Sequence, residues 1–254
     1  MRRVLEKLAR GELSVDEAER MIKALLLEEV SSLALLDLGR EVRRGVPEIV
    51  LAEGKPPEAT ARIAKAILDR CGRVIVSRAS REHMESVKEA LGDAEVEVHE
   101  AARILVARRT PIEKTGGRVG VITAGTSDIP VAEEAKVVAR ELGCEVYTAY
   151  DVGVAGVHRV FKALRDMVEN DVDVIVVAAG MEGALPSVVA SMVDIPVIGL
   201  PTSVGYGIGG KGEAALKSML QSCSLGVAVV NVDAGVAAGV IAAMIANRAA
   251  KFRS

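Results

Sequence analysis

The 254-residue chain contains no tryptophan, two phenylalanines and three tyrosines. It therefore lacks an aromatic stacking set, and its 32 lysines and arginines are dispersed against 35 acidic residues, so no basic stripe marks it as a nucleic-acid binder. Cysteine is equally sparse. Cys71, Cys144 and Cys223 show no metal-ligand spacing and leave one thiol odd, which points to a reducing, cytoplasmic compartment. Asparagine occurs only at 170, 231 and 247 and glutamine only at 221, a shortage of heat-labile amides that, beside many Glu, Lys and Arg, fits a heat-adapted composition. The longest apolar stretches are broken, as by Asn231 and Asp233, so none reads as a membrane span. Met1–Lys7 lacks the apolar core of a signal peptide.

What is present is apolar: half the residues, enough for one large or two modest domains with real cores. Residues 1–112 read as a small α/β domain. Ser14 and Glu17 form a capping-box pattern, Pro56-Pro57 starts a helix, and short strands are expected at 73–77, 95–98 and 104–107. The Pro111–Gly117 stretch marks a boundary. Over 113–254 the texture changes to continuous, largely apolar strands at 119–123, 145–149, 174–179, 197–200 and 227–232, alternating with helices. Strands apolar on both faces are covered on both faces, which predicts a doubly wound parallel sheet in a three-layer αβα arrangement. In such a sheet ligands bind at the carboxyl ends of the strands. The Ala-rich helix at about 235–248 is apolar nearly all round, and with little core left for it to enter, homo-oligomerisation is expected.

The loops after the strands carry the chemistry. Thr123-Ala124-Gly125-Thr126-Ser127-Asp128-Ile129-Pro130 joins a strand to a helix, with Gly125 permitting close approach, hydroxyls at Thr126 and Ser127, Asp128 as a helix cap and Pro130 in the first turn. Free amides there suit phosphate, although an ordinary turn has the same composition. After the next strand, Asp151 could hold ribose hydroxyls, with His158 and Arg159 near a helix start; a local helix-entry role explains His158 equally well. Gly180-Met181-Glu182-Gly183 follows the most apolar strand. A partly buried carboxylate at Glu182 would suit a general base. Gly205–Gly212 mimics phosphate-binding glycine motifs but sits too late in the chain, and Gly212 stands where a P-loop needs Ser or Thr. It reads better as a glycine loop that folds over a ligand, with Lys211 as a charge partner. Cys223 lies among polar, flexible neighbours, on what is expected to be the pocket side of the sheet, whereas Cys71 and Cys144 read as small buried hydrophobes.

The segment from Arg118 onward resembles the aminoimidazole ribonucleotide carboxylase/mutase family of purine biosynthesis. It shares the Gly125-Thr126-Ser127-Asp128 loop, the Ala178-Ala179-Gly180 … Leu185-Pro186 turn and the Pro196–Gly199 strand. It departs where the purine enzymes carry a histidine directly before Leu-Pro, since Ala184 stands there. Nearly the whole chain resembles the LarB family, through Thr123–Ala132, Tyr150–Arg159, Gly180–Val189, Pro201–Gly207, Ser222–Asp233 and the N-terminal Arg40 … Arg43 … Gly45-Val46-Pro47-Glu48.

The LarB resemblance implies a carboxylase/hydrolase that begins synthesis of the nickel-pincer nucleotide cofactor. Nicotinic acid adenine dinucleotide is carboxylated on its pyridinium ring with CO₂, and its phosphoanhydride is hydrolysed to AMP and a pyridinium-3,5-biscarboxylate mononucleotide. It implies Cys223 as nucleophile and Glu182 as base. Ala124, Gly125, Thr126, Ser127, Asp128, Asp151, His158, Arg159, Gly180, Met181, Gly183, Thr202, Ser203 and Lys211 would hold the substrate. No organic cofactor is expected; a magnesium ion could bridge the phosphates. Fold relatives suggest an octamer. Arg40, Arg43 and Arg44 could reach a phosphate, though a solvated basic face explains them too. The alternatives are an aminoimidazole ribonucleotide carboxylase or mutase, and a regulatory protein that kept the fold and lost the chemistry.

Overall fold

The computed structural model describes residues 2–30, 34–37 and 45–253. The arginines at 40, 43 and 44 lie outside the described residues. The chain forms two compact units, Met1–Val98 with Leu105–Pro111, and His99–Ile104 with Ile112–Ser254. Among the described residues no helix is long and apolar enough to cross a membrane.

The first unit opens with helices α1 (Arg2–Ala9) and α2 (Val15–Leu26). The capping box at α2 is made: Glu17 N–H donates to Ser14 Oγ at 3.2 Å and Ser14 N–H to Glu17 Oε2 at 2.8 Å. Strands β1 (Leu27–Val30) and β2 (Ala34–Asp37) pair antiparallel. Then follow β3 (Ile49–Leu51), α3 (Pro57–Cys71), β4 (Arg73–Ser77), α4 (Arg81–Leu91), β5 (Glu95–His99) and β6 (Ile104–Arg108). They build a mixed four-stranded sheet in the order β3-β4-β6-β5, with β3 parallel and β6 antiparallel to β4. Its core joins Val50, Ile63, Ile67, Leu68, Val74, Val76, Val87 and Leu105.

The second unit contains β7 (Arg118–Thr123), α5 (Ile129–Glu141), β8 (Glu145–Ala149), α6 (His158–Glu169), β9 (Val174–Ala179), α7 (Leu185–Ala190), β10 (Val197–Pro201), α8 (Glu213–Leu220), β11 (Val227–Val229) and α9 (Gly235–Ala250). All five strands are parallel, in the order β11-β10-β9-β7-β8. Counted within this unit, the order is 2-1-3-4-5, a doubly wound sheet. β7, β9 and β10 are buried along their lengths apart from Arg118, as their unbroken apolar runs require. Side chains of α6, α7 and α8 share one core with the sheet through Leu164, Met167, Val177, Leu185, Val189 and Met219, while α5 and α9 cover the other face.

Helix α9 corrects one expectation. It enters its own core rather than being left over for a neighbour. A buried stripe of Gly235, Ala238, Gly239, Ala242, Ala243 and Ala246 lies against α5. A Cβ built on Gly235 would fall 2.3 Å from the Val131 carbonyl oxygen, and one on Gly239 2.5 Å from that of Ala135. Small residues let the two backbones meet, which an all-round apolar composition does not reveal. The outer face keeps Ile241 and Met244 exposed.

Candidate active site at the sheet switch point

In a 2-1-3-4-5 sheet the connections diverge between the first and third strands, here β7 and β9, and a crevice opens past their carboxyl ends. The end of β7 is tied to both neighbours. Thr123 accepts at Oγ1 from Asp151 N–H (3.0 Å) and at its carbonyl from Val152 N–H (3.0 Å), while Ala124 N–H donates to the Ala178 carbonyl (2.9 Å). The chain then makes a 3₁₀ turn over Thr126–Asp128 and enters α5 with Pro130 in the first turn. A Cβ built on Gly125 would meet only Asp128, at 3.6 Å, which leaves the space before it to the crevice.

Asp128 does not cap α5 as expected, because its side chain points back and inward. It is 3% exposed. Gly125 N–H donates to Oδ2 (2.8 Å), the Thr202 hydroxyl to Oδ1 (2.6 Å), and the Gly180 amide adds a third contact. One carboxylate thus ties the loops after β7, β9 and β10. Burial pushes its carboxyl above the ordinary aspartate value of 3.8, against these donors, which pull it down.

The facing wall is built from close backbone approaches. A Cβ on Gly180 would fall 2.3 Å from the Val204 carbonyl oxygen, and one on Gly153 2.6 Å from that of Ala124. Met181 N–H donates to the Val204 carbonyl at 2.8 Å, with Met181 in the left-handed region at φ 52°. These walls enclose a cavity of about 260 Å³ lined by Ala124, Gly125, Ser127, Asp128, Gly153, Val154, Ala155, Ala179, Gly180, Met181, Glu182, Ala184, Leu185 and Val204.

Seven of the residues singled out in the sequence therefore meet: Ala124, Gly125, Ser127, Asp128, Gly180, Met181 and Glu182. Thr202 stands behind them, buried, on Asp128. Gly183 (φ 63°) packs against Ala215 of α8. Asp151 accepts from Arg159 Nη1 at 2.8 Å, and Ser203 N–H donates to Asp233 Oδ1 at 2.8 Å. Thr126, His158 and Lys211 are exposed and do not line the cavity. Glu182 is exposed at the lip rather than partly buried, since two flanking glycines fix a turn but not its depth.

Cys223 departs furthest from expectation. It is exposed in the α8-to-β11 connection, on the amino-terminal edge of a parallel sheet whose cavity lies past the carboxyl-terminal edge. The five residues of β10 separate the edges by about 16 Å at a strand's rise per residue. Ser222 Oγ accepts from Ser187 Oγ (2.8 Å) and Ser224 N–H (3.1 Å), fixing the turn that carries the thiol. Cys144, by contrast, is buried, donates to Asn247 Oδ1 and has its thiol pushed up to about 11 by burial.

Sequence reasoning missed Gly153, Val154, Ala155, Val204 and Leu185 as lining residues. The available signal was positional: each lies in the stretch after a parallel strand, Leu185 as the first residue of α7. It also missed the Tyr150 hydroxyl donating to Glu133, which Lys136 holds from the other side at 2.9 Å. Burial, then Glu133, pushes that phenol upward. Among the described residues no group of three or more His, Cys, Asp or Glu side chains could hold a metal ion.

Two family models match the chain, one over each part of it. The AIR carboxylase model matches residues 118–253 and the LarB/PurE-like N-terminal domain model residues 27–109. The chain belongs to the LarB family. Its second unit is the AIR carboxylase-like domain, and the family is of carboxylase/mutase type. Among similar proteins, an uncharacterized protein of Methanocaldococcus jannaschii is 45% identical over 253 residues, 97% of each chain. An N5-carboxyaminoimidazole ribonucleotide mutase of Thermotoga maritima is 33% identical over 134 residues, 50% of this LarB-family chain and 74% of that protein. The mutase of M. jannaschii is 34% identical over 124 residues, 48% and 74% respectively.

Proposed function

We propose that the chain carboxylates the pyridinium ring of nicotinic acid adenine dinucleotide with CO₂ and hydrolyses its phosphoanhydride to AMP and the pyridinium-3,5-biscarboxylate mononucleotide, as the first step of nickel-pincer cofactor synthesis in the cytoplasm. The supporting observation is the cavity wall itself: Ala184 lines it where the purine enzymes carry their histidine, and the chain offers an exposed thiol, Cys223, instead.

A pyridinium ring and CO₂ are both electrophiles. Addition of the Cys223 thiolate to the ring forms a C–S bond and leaves a neutral dihydropyridine, whose neighbouring carbon is nucleophilic and attacks CO₂. Glu182, at the cavity lip, takes the proton from that carbon. The C–S bond then breaks, returns its electron pair to sulfur and restores the aromatic ring. Water cleaves the phosphoanhydride. The loop amides and Ser127 hold the phosphates, shaped by Asp128 from behind. Magnesium enters this scheme only as a companion of the substrate phosphates.

Because thiol and cavity lie at opposite edges of one sheet, the scheme requires Cys223 of one copy to serve the cavity of another. Homo-oligomerisation is thus part of the proposal, and the octamer suggested by fold relatives is one assembly that would satisfy it.

The test is incubation with the dinucleotide, bicarbonate and magnesium, following AMP and the carboxylated product by mass spectrometry. Absence of turnover across varied conditions overturns the proposal. The likeness to the mutases over half the chain supports a second reading, so a parallel incubation offers aminoimidazole ribonucleotide with CO₂ and its N5-carboxylated form; turnover there alone selects the purine reaction.

A further inference from the structure

The chain has three tyrosines, and two of them, Tyr147 and Tyr150, lie in or beside β8. The third, Tyr206, stands in the glycine loop after β10 and is 82% exposed. Its neighbour Ile208 is fully exposed. Both side chains stand in water beside the cavity-lining Val204.

Both ends of the loop are fixed. Val204 lines the cavity and its carbonyl accepts from Met181 N–H at 2.8 Å. Gly212 is locked because a Cβ there would fall 2.6 Å from Val232 and 2.9 Å from the Thr202 carbonyl oxygen. Between these anchors the only regular structure is one 3₁₀ turn, Gly207–Gly209. Gly205 (φ 151°) and Gly207 (φ 71°) flank Tyr206 in conformations that favour glycine, and a Cβ on Gly207 would meet nothing within 4 Å. A glycine on each side lets the ring swing without moving the anchors. Tyr206 is two residues from the cavity-lining Val204, at most about 7 Å of extended chain.

We propose that the Gly205–Lys211 segment closes over the cavity and lays the Tyr206 ring on the face of a cationic aromatic ring bound there, making Tyr206 a positioning residue that discriminates ring charge. The inference rests on the proposed pyridinium substrate and adds the source of selectivity. An aromatic face attracts a cation above it. It holds the charged ring of the dinucleotide and gains much less from a neutral dihydropyridine.

Calorimetry with the full-length protein tests this, using nicotinic acid adenine dinucleotide and its reduced dihydropyridine form on wild type, Tyr206→Phe and Tyr206→Ala. Expected is a roughly tenfold loss of affinity for the oxidised form in Tyr206→Ala, retention in Tyr206→Phe, and little change for the reduced form in either. Equal losses for both forms, or none, overturn the inference. So does unchanged affinity with an altered oligomeric state in Tyr206→Ala by light scattering, which would give the loop to a neighbouring copy instead. Wild type that binds neither form overturns the substrate proposal together with this one, whereas binding by wild type and Tyr206→Ala alike overturns this one only.

Discussion

The two edges of the five-stranded sheet are built on different principles. At the carboxyl-terminal edge the backbone does the shaping: Gly153 and Gly180 bring loops into contact, and the buried Asp128 ties three of them. At the amino-terminal edge near β11 a short serine-held turn presents Cys223 outward, beside the almost fully exposed Leu225. One edge carries a preformed cavity, the other an exposed thiol. A single copy therefore holds both parts of the proposed chemistry without joining them.

The sharpest attack on that contrast removes the thiol. Cys223→Ala is expected to abolish carboxylation, while Cys71→Ala and Cys144→Ala keep it; full carboxylation by Cys223→Ala would refute the covalent route. Mixing Cys223→Ala with a cavity variant such as Gly180→Val, under conditions that exchange subunits, should restore part of the activity. No recovery in demonstrably mixed oligomers would place thiol and cavity in one copy.

Next comes the cavity's lip. Glu182→Gln should slow carboxylation about 10²–10⁴-fold, the usual contribution of a positioned base, with dinucleotide affinity largely kept. An unchanged rate removes Glu182 as the base.

Smaller effects probe the backbone shaping. Gly180→Ala places a Cβ against the Val204 carbonyl and should cost about 1–3 kcal/mol of stability by denaturation, with weaker dinucleotide binding. Asp128 gives a pH signature. Its carboxyl sits above the ordinary 3.8 because burial disfavours its charge. Between 3.8 and that raised value the folded state binds more protons than the unfolded chain, so this group's stabilisation is complete below the window and is lost as pH rises through it. Asp128→Asn should remove that downward slope from stability-against-pH curves, and identical slopes would refute the assignment. Smallest of all, His158→Ala at its exposed position should change stability by less than about 0.5 kcal/mol.

The same contrast explains what is legible in the sequence. The continuous apolar strands make the parallel sheet plain, and every cavity-lining loop follows a strand, so position marks the loops while residue type picked out seven of the fourteen lining residues. What resists reading is depth and direction. The flanking glycines of Glu182 say that the chain turns, not how far from solvent. The apolar girth of α9 hides which face meets α5, because backbone approach at Gly235 and Gly239 decides it. Cys223 is the instructive case. A segment that runs from a helix into the next parallel strand must lie on the amino-terminal edge, so its distance from the cavity follows from chain direction even before side chains are considered.

The glycine contacts of the cavity also set how the site responds to heat. Side chains that line an ordinary pocket loosen one rotamer at a time as temperature rises. Here the spacing of Gly153 from Ala124 and of Gly180 from Val204 is a distance between peptide planes, which have no rotamers to gain. The cavity should keep its width up to the temperature at which the strands themselves part, and then lose it all at once.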